Sequence, residues 1–440
     1  MVERLLYNIL FPVFLVLSSP WYLNRLIKRG NWKRGFWERF GFYPKTTIES
    51  LRGKNVIWIH AVSVGEVNIA LQLLKQLQRV LPGMTFVLST TTTTGREVLH
   101  RNATAQMVAI YYPIDLLFSV KRALRTINPM AIIIMEAEIW PNLIWQATDR
   151  KIPIFLANAR LSERSYKRYR FLRRFFCKVF DCFTLVFAQN QADVSRLCSL
   201  GIRPEKIYVV GSLKFDTVQL DAPVPVELNT IMEHLTSNRL VLLGGSTHPG
   251  EERILAEIYL SLRKSFPDLF LILVPRHFER APQVAAELKS LDIKYVLRST
   301  LNPKAMPVQP NLDCLLVDTT GELRHLYKFA TVVFVGKTLT SHGGQNPIEP
   351  AAVGKPIVFG PNMENFEQIA HAFLTAGAAI QVRNKTELEF AIRMLLNDPN
   401  KRAEIGSAAR NVVSTNQGAT FKTAQAIAAI LTRQLSIQHN

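Results

Sequence analysis

Five short segments of this 440-residue chain place charged or turn-forming residues directly after runs of Val, Ile and Leu. "HAVSVGE" (60–66) ends on Glu66, with Gly65 beside it to let a backbone or ligand approach. "MEAEIWPN" (135–142) offers Glu136 and Glu138, and "VPRH" (274–277) offers Pro275 and Arg276. "TGELRHLY" (320–327) carries Gly321 and Glu322, and "GGQNPIEP" (343–350) carries Asn346, Pro347, Ile348 and Glu349. A carboxylate can take a proton from a hydroxyl, and a guanidinium can grip a phosphate. In the last segment Asn346 suits a helix N-cap and Pro347 the first helical position, so Glu349 falls third, where it can close a capping box. The same helix N-terminus suits an anionic ligand, so Glu349 has two readings: cap, or holder of a ligand. One charged residue at a strand end is commonly a cap or half of an ion pair. Several that converge make a site.

The elements that must position these residues are legible as periodicities. Apolar runs occur at 55–62, 85–91, 107–112, 131–136, 153–158 and 184–189, then at 239–246, 269–275, 313–318, 331–336 and 356–360. Such runs alternating with helical patterns mean parallel sheets covered on both faces. "DTVQLDAPVPVELN" (216–229) has two prolines and no clear period, and marks a boundary. The expected organisation is an anchor over 1–24, a Rossmann-like domain over 25–215 and a second over 216–440. A return of the last helix to the first domain is left open. Two doubly wound domains place a ligand at the carboxyl ends of their strands, in the cleft between them. No G-x-G-x-x-G stands in strand–turn–helix context, and "FVGKT" (334–338) lacks the earlier glycine of a P-loop. The remaining expectation is an α/β chain of the two-domain GT-B glycosyltransferase architecture, with its nucleotide mainly on the second domain.

Composition narrows the partners. With 48% hydrophobic and 20% charged residues, the chain is globular rather than disordered. Four cysteines without a C-x-x-C pair point to free thiols in a reducing compartment. No H-E-x-x-H and no Asp-x-Asp occurs, so neither metal nor cofactor is expected. The balance of 53 Lys+Arg against 34 Asp+Glu, net +19, calls for an anionic partner. Carboxylates at strand ends would repel a phosphate backbone, which sets nucleic acid aside. Residues 5–23 are apolar for about one membrane span, followed by Arg25, Lys28, Arg29, Lys33, Arg34 and Arg39. That order keeps the rest of the chain cytoplasmic. Pro12 and Pro20 equally fit a helix lying in the interface. A second basic run, "RLSERSYKRYRFLRRFFCK" (160–178), interleaves Arg164, Lys167, Arg168, Arg170, Arg173 and Arg174 with aromatics, as an anionic membrane surface would require.

These segments occur in one order with "ERFGFYP" (38–44), "TTTTTG" (90–95), "ANARLSERS" (157–165), "GSLKFD" (211–216) and "GKPIVFGP" (354–361). As a set they resemble the Kdo (3-deoxy-D-manno-octulosonic acid) transferases of lipopolysaccharide synthesis over nearly the whole chain. Ala137 stands where that family is expected to have Ser or Thr. The resemblance implies an inverting transfer of Kdo from CMP-Kdo to the lipid A precursor at the cytoplasmic face of the inner membrane. It implies Glu66 as general base, with Glu136 and Lys214 in the active site. It implies CMP contacts from Pro275, Arg276, Gly321, Glu322 and Asn346 through Glu349. The alternative is another GT-B enzyme acting on a nucleotide sugar, such as a lipid disaccharide synthase.

Overall fold

The computed structural model describes residues 2–28, 35–220, 223–303 and 312–439, and the side chains of 2–20, 35–220, 223–303 and 312–436. Arg29, Lys33 and Arg34, and the side chains of Arg25 and Lys28, lie outside the described residues. The chain divides into two compact units, Met1–Thr217 with Gln417–Asn440, and Val218–Asn416.

The first unit is built on seven strands: β1 (Val56–His60), β2 (Thr85–Thr90), β3 (Met107–Tyr111), β4 (Pro129–Met135), β5 (Ile154–Ala159), β6 (Leu185–Ala188) and β7 (Ile207–Val209). They pair in parallel in the order β3-β2-β1-β4-β5-β6-β7. Every residue of β1 and β5 is buried, because helices cover both faces. The chain works outward from β1 to β3 and then returns to the other side of β1 with β4. Loops from β1 and β4 therefore leave to opposite faces and open a crevice at the carboxyl ends. The second unit repeats the plan with β8 (Leu240–Thr247), β9 (Leu269–Pro275), β10 (Tyr295–Leu297), β11 (Cys314–Leu316), β12 (Val332–Val335), β13 (Ile357–Phe359) and β14 (Ile380–Gln381). Their order is β10-β11-β9-β8-β12-β13-β14, again parallel, with the reversal between β8 and β12.

The last helix, Ala419–His439, belongs to the first unit. Its Ala424, Ile427 and Leu431 share a core with Leu73, Leu74 and Leu77 of the helix Val64–Val80. Burying Ile427 and Leu431 contributes roughly 1.5–3 kcal/mol each. Asp216 fixes the start of that helix: Gly418 N donates to its Oδ1 at 2.7 Å and Thr420 N to its Oδ2 at 2.6 Å.

The N-terminal helix, Val2–Lys28, is held to the first unit by its first two turns. Lys178 Nζ reaches Glu3 at 2.6 Å, and Arg4 Nη1 donates to both oxygens of Asp149 at 2.9 and 2.8 Å. Tyr7 OH donates to the buried Asp115 at 2.9 Å, and Asn8 exchanges amide hydrogen bonds with Asn142 at 3.2 and 2.9 Å. Asp115 also accepts from Asn142 N and Leu143 N, so it caps the helix Pro141–Asp149 from another part of the chain. Leu6, Ile9, Leu10, Val13, Val16 and Leu17 form an exposed apolar stripe on the N-terminal helix.

Two surface expectations are corrected. Arg39 is not part of a membrane-facing cation cluster: it is buried, donates to Thr91 O at 3.0 Å and lies 4.3 Å from the Tyr111 ring centre. The basic run at 160–178 is two helices, Glu163–Phe171 and Arg173–Phe180, broken at Leu172. Tyr166, Tyr169, Phe175 and Phe176 turn inward to the core, while Phe171 is 88% exposed. The six cations Arg164, Lys167, Arg168, Arg170, Arg173 and Arg174 are all exposed.

Candidate active site

In the first unit, the crevice between β1 and β4 gathers a group of charges. Glu66 sits in the first turn of Val64–Val80. Ser63 Oγ accepts from Glu66 N at 3.3 Å, and Glu66 reaches back to accept from Val62 N and Ser63 Oγ, both at 2.9 Å. A capping box therefore forms here, at Ser63 and Glu66. Burial, then the charge of Glu136, raises the Glu66 carboxyl above its ordinary range. Glu138 is pushed up to about 7 by burial and then by Glu66 and Glu136. Lys214 is pulled down by burial and Arg160, against the opposing attraction of Glu136 and Glu66. Three carboxylates and two cations thus share one neighbourhood.

The backbone around them is constrained. Glu136 directly follows β4 in the left-handed region, φ 55, with its N–H donating to Ala157 O at 2.9 Å. A non-glycine residue held there is strained, and such strain collects at functional sites. Asn158, at φ 56 on β5 and wholly buried, donates to Glu136 Oε1 at 3.5 Å and accepts from Leu213 N at 3.1 Å. One buried amide therefore ties Glu136 to the segment that carries Lys214. Glu66, Glu136 and Lys214 are brought together, and Arg160 joins them. Arg160 was missed by sequence reasoning, although it follows an apolar run as Glu136 does.

In the second unit, Arg276 follows the buried Pro275 at the end of β9 and is exposed. The expected capping box at Asn346–Glu349 does not form. The helix is only Ile348–Ala352, its N-cap is Pro347 without a side-chain bond, and Asn346 Oδ1 accepts from Ile348 N at 3.1 Å. The two-residue reach of Asn346 shifts the register and leaves Glu349 second in the helix. Among the described residues no donor meets the Glu349 carboxylate. Burial raises its pKa, and Arg324 and Arg276 oppose the rise. Glu322 differs: Arg298 donates to its Oε1 at 2.9 Å and Thr319 Oγ1 to its Oε2, so its carboxylate is spent on its own loop. Gly321, at φ 88 with nothing near its Cα on the side-chain side, leaves that loop's backbone open.

The comparisons with known proteins fit this geometry. The family profile described as 3-Deoxy-D-manno-octulosonic-acid transferase (kdotransferase) matches residues 34–217, and that of Glycosyl transferases group 1 matches 304–412. A 3-deoxy-D-manno-octulosonic acid transferase of Haemophilus influenzae is 34% identical over 93% of this chain and 92% of its own. The chain belongs to the Kdo transferase family. A Kdo transferase of Bordetella pertussis is 33% identical over 84% of this chain and 86% of its own. Among solved structures, a UDP-GlcNAc 2-epimerase from Neisseria meningitidis aligns at TM-score 0.56 with 16% identity, over 86% of this chain and all of its own. A glycosyltransferase from Rickettsia africae aligns at 0.54 with 14% identity, over 86% and 98%. These place the Kdo transferase in the GT-B architecture, two parallel-sheet Rossmann-like units. Among the described residues no His, Cys, Asp and Glu side chains are grouped to hold a metal ion.

Proposed function

We propose that this enzyme transfers Kdo from CMP-Kdo to the lipid A precursor (lipid IVA) with inversion. The reading rests chiefly on Glu349, a half-buried carboxylate without a hydrogen-bond donor, faced by Arg276 and Arg324. A ribose hydroxyl pair supplies the donors that such a carboxylate lacks, and a phosphate ester suits the guanidinium. Pro275, the Gly321–Glu322 backbone and Asn346–Ile348 shape the nucleotide pocket around them. The expected result is that Arg276→Ala and Glu349→Ala each weaken CMP binding by about 1–3 kcal/mol. Calorimetry with CMP and UDP checks this; wild-type affinity in both variants would move the pocket. Mass spectrometry of products from CMP-Kdo and the precursor tests the transfer itself.

The first unit supplies proton acceptance. In this role Glu66 takes the acceptor hydroxyl's proton, while Glu136 and Lys214 set its charge environment. A base works deprotonated, so kcat/KM falls as pH drops through a value above the usual 4.5 of a glutamate. Glu136→Gln removes a like charge, lowers the Glu66 pKa and shifts that acid limb to lower pH. A limb that stays in place, or moves upward, would rule out the pairing.

The lipid acceptor requires a membrane. The N-terminal helix is apolar enough to cross one between Val2 and Pro20. Its first two turns, however, are fastened to the protein. From Asn8 to Leu23, where the apolar run ends, a helix covers about 22 Å, against about 30 Å of hydrocarbon. We therefore place the helix in the interface of the inner membrane's cytoplasmic face, its apolar stripe in lipid. The exposed Phe171 and Leu172, with the six cations around them, meet anionic headgroups. Deleting residues 1–24 is expected to shift the protein toward the soluble fraction and leave vesicle binding that salt abolishes. A truncated protein that floats equally well with neutral vesicles at high salt contradicts this.

A further inference from the structure

Two loops of the second unit leave the sheet side by side where the strand order reverses. β8 runs out through Ser246 and Thr247 to His248, and β12 runs out through Gly336 to Lys337. The strand ends are so close that a Cβ on Gly336 would lie 2.3 Å from Ser246 O. Ser246 at φ 53 and Lys337 at φ 60 are both held in the left-handed region. A single buried carboxylate fastens the loops together. Glu251 Oε2 accepts from His248 N and Lys337 N, both at 2.8 Å, and Oε1 accepts from Thr338 N at 2.9 Å and Leu339 N at 3.0 Å.

This fastening concentrates positive charge. Lys337 and Arg276 make no ion pair among the described residues, whereas Arg280 is consumed by Glu252 at 2.7 Å. His248 lies with its Nε2 3.4 Å from the Gln345 amide nitrogen and its ring 6.1 Å from that of His277. Its imidazole is pushed down to about 4 by burial, then by Lys337, His277, Arg280 and Arg276, so it is a neutral donor at physiological pH. Two neighbouring cations without an ion-pair partner among the described residues, Lys337 and Arg276, favour a bound anion. Crevices at strand-order reversals are where α/β sheets take ligands.

Arg276 belongs to two neighbourhoods. Its N–H donates to Thr247 O at 3.0 Å, next to His248, and its charge acts on both Glu349 and His248. On the donor reading given above, on which this inference rests, the ligand carries two anions. Kdo is a 2-ulosonic acid, so its carboxylate is bonded to the anomeric carbon, one oxygen away from the phosphorus. A phosphate at Arg276 therefore brings a second anion within a few ångströms. We propose that His248 and Lys337 form the subsite for the sugar carboxylate of the donor, beside a phosphate held at Arg276. Specificity for an acidic sugar follows, because a donor without a carboxylate leaves Lys337 desolvated and unpaired.

The test uses a hydrolysis-resistant phosphonate analogue of CMP-Kdo, as its free carboxylate and as its methyl ester, with CMP alone as the third ligand. The full-length wild type is expected to bind the acid at least about tenfold more tightly than the ester. Lys337→Met and His248→Gln should each erase most of that preference and keep CMP affinity within about threefold of wild type, which also reports an intact fold. Equal binding of acid and ester by the wild type overturns the subsite. So does a preference that survives in both variants, or a loss of CMP affinity matching the loss for the acid, which would assign the two residues to the phosphate. A wild type that binds neither CMP nor the analogue sinks the donor reading itself, and the subsite with it.

Discussion

Glu66→Gln should fold normally, bind CMP as before and transfer Kdo at least about a hundredfold more slowly, within the 10²–10⁴ range of a lost general base. The acceptor hydroxyl has a pKa far above neutrality, so some group must take its proton as the new bond forms. An inverting displacement needs one such group on the attacking side. Glu66 has the charge, a place in the first helical turn after β1 and a pKa raised by burial and Glu136. It also has a structural occupation, since it closes the capping box with Ser63. The glutamine variant separates the two roles. Gln serves at that box position as well as Glu does, so the helix keeps its cap while the proton acceptor is lost. If Glu66 were only a cap, complementing the helix dipole by under about 1 kcal/mol, the rate would hardly change. Single-turnover transfer at saturating donor and acceptor decides between them. A variant within a few-fold of wild type would hand the role to Glu138 or Glu136.

Glu251→Gln should lower the unfolding temperature of the second unit by roughly 6–20 °C, the effect of about 3–5 kcal/mol in a unit of this size. Four backbone N–H groups converge on its buried carboxylate. An amide keeps one acceptor oxygen but turns an NH₂ group toward two of those donors, leaving them buried and unsatisfied. Among the described residues these four N–H groups donate to no other carboxylate. Differential scanning calorimetry of the full chain reads the shift. A transition within about 2 °C of wild type would show that the loops hold without it.

The central strands of both sheets were legible because strands buried on both faces read as unbroken Val/Ile/Leu runs. β7, β10 and β14 were not, since edge strands of two or three residues leave no such run. The strand-end positions of Glu136 and Arg276, and the helix starts that carry Glu66 and Glu349, could be read directly. The difference between caps could not. "SVGE" and "NPIE" carry the same spacing, yet only the first forms the box, because Asn346 bonds two residues ahead and the second helix stops after five. The cations of 160–178 were legible, but which aromatics face outward depends on the helix break at Leu172. Arg39 looks like a surface cation and is buried on Tyr111. His248 and Lys337 are brought together by the β8–β12 pairing and by Glu251, a tie spanning 86 positions to Lys337 that no local pattern reveals.

The carboxylate of Asp216 has a genetic consequence. The chain passes into the second unit just after it, at Val218, and comes back at Gln417, one residue before the Gly418 N–H that Asp216 holds. Topologically the second unit is a cassette inserted at one stapled point of the first. Its two ends enter and leave at neighbouring positions, as in sites where whole domains are transplanted without breaking their host. A lineage can therefore trade the second unit for another while the half that carries the carboxylate cluster, and the helix that closes it, stays in frame and folded. Recombination at this point would let one scaffold carry different partner units.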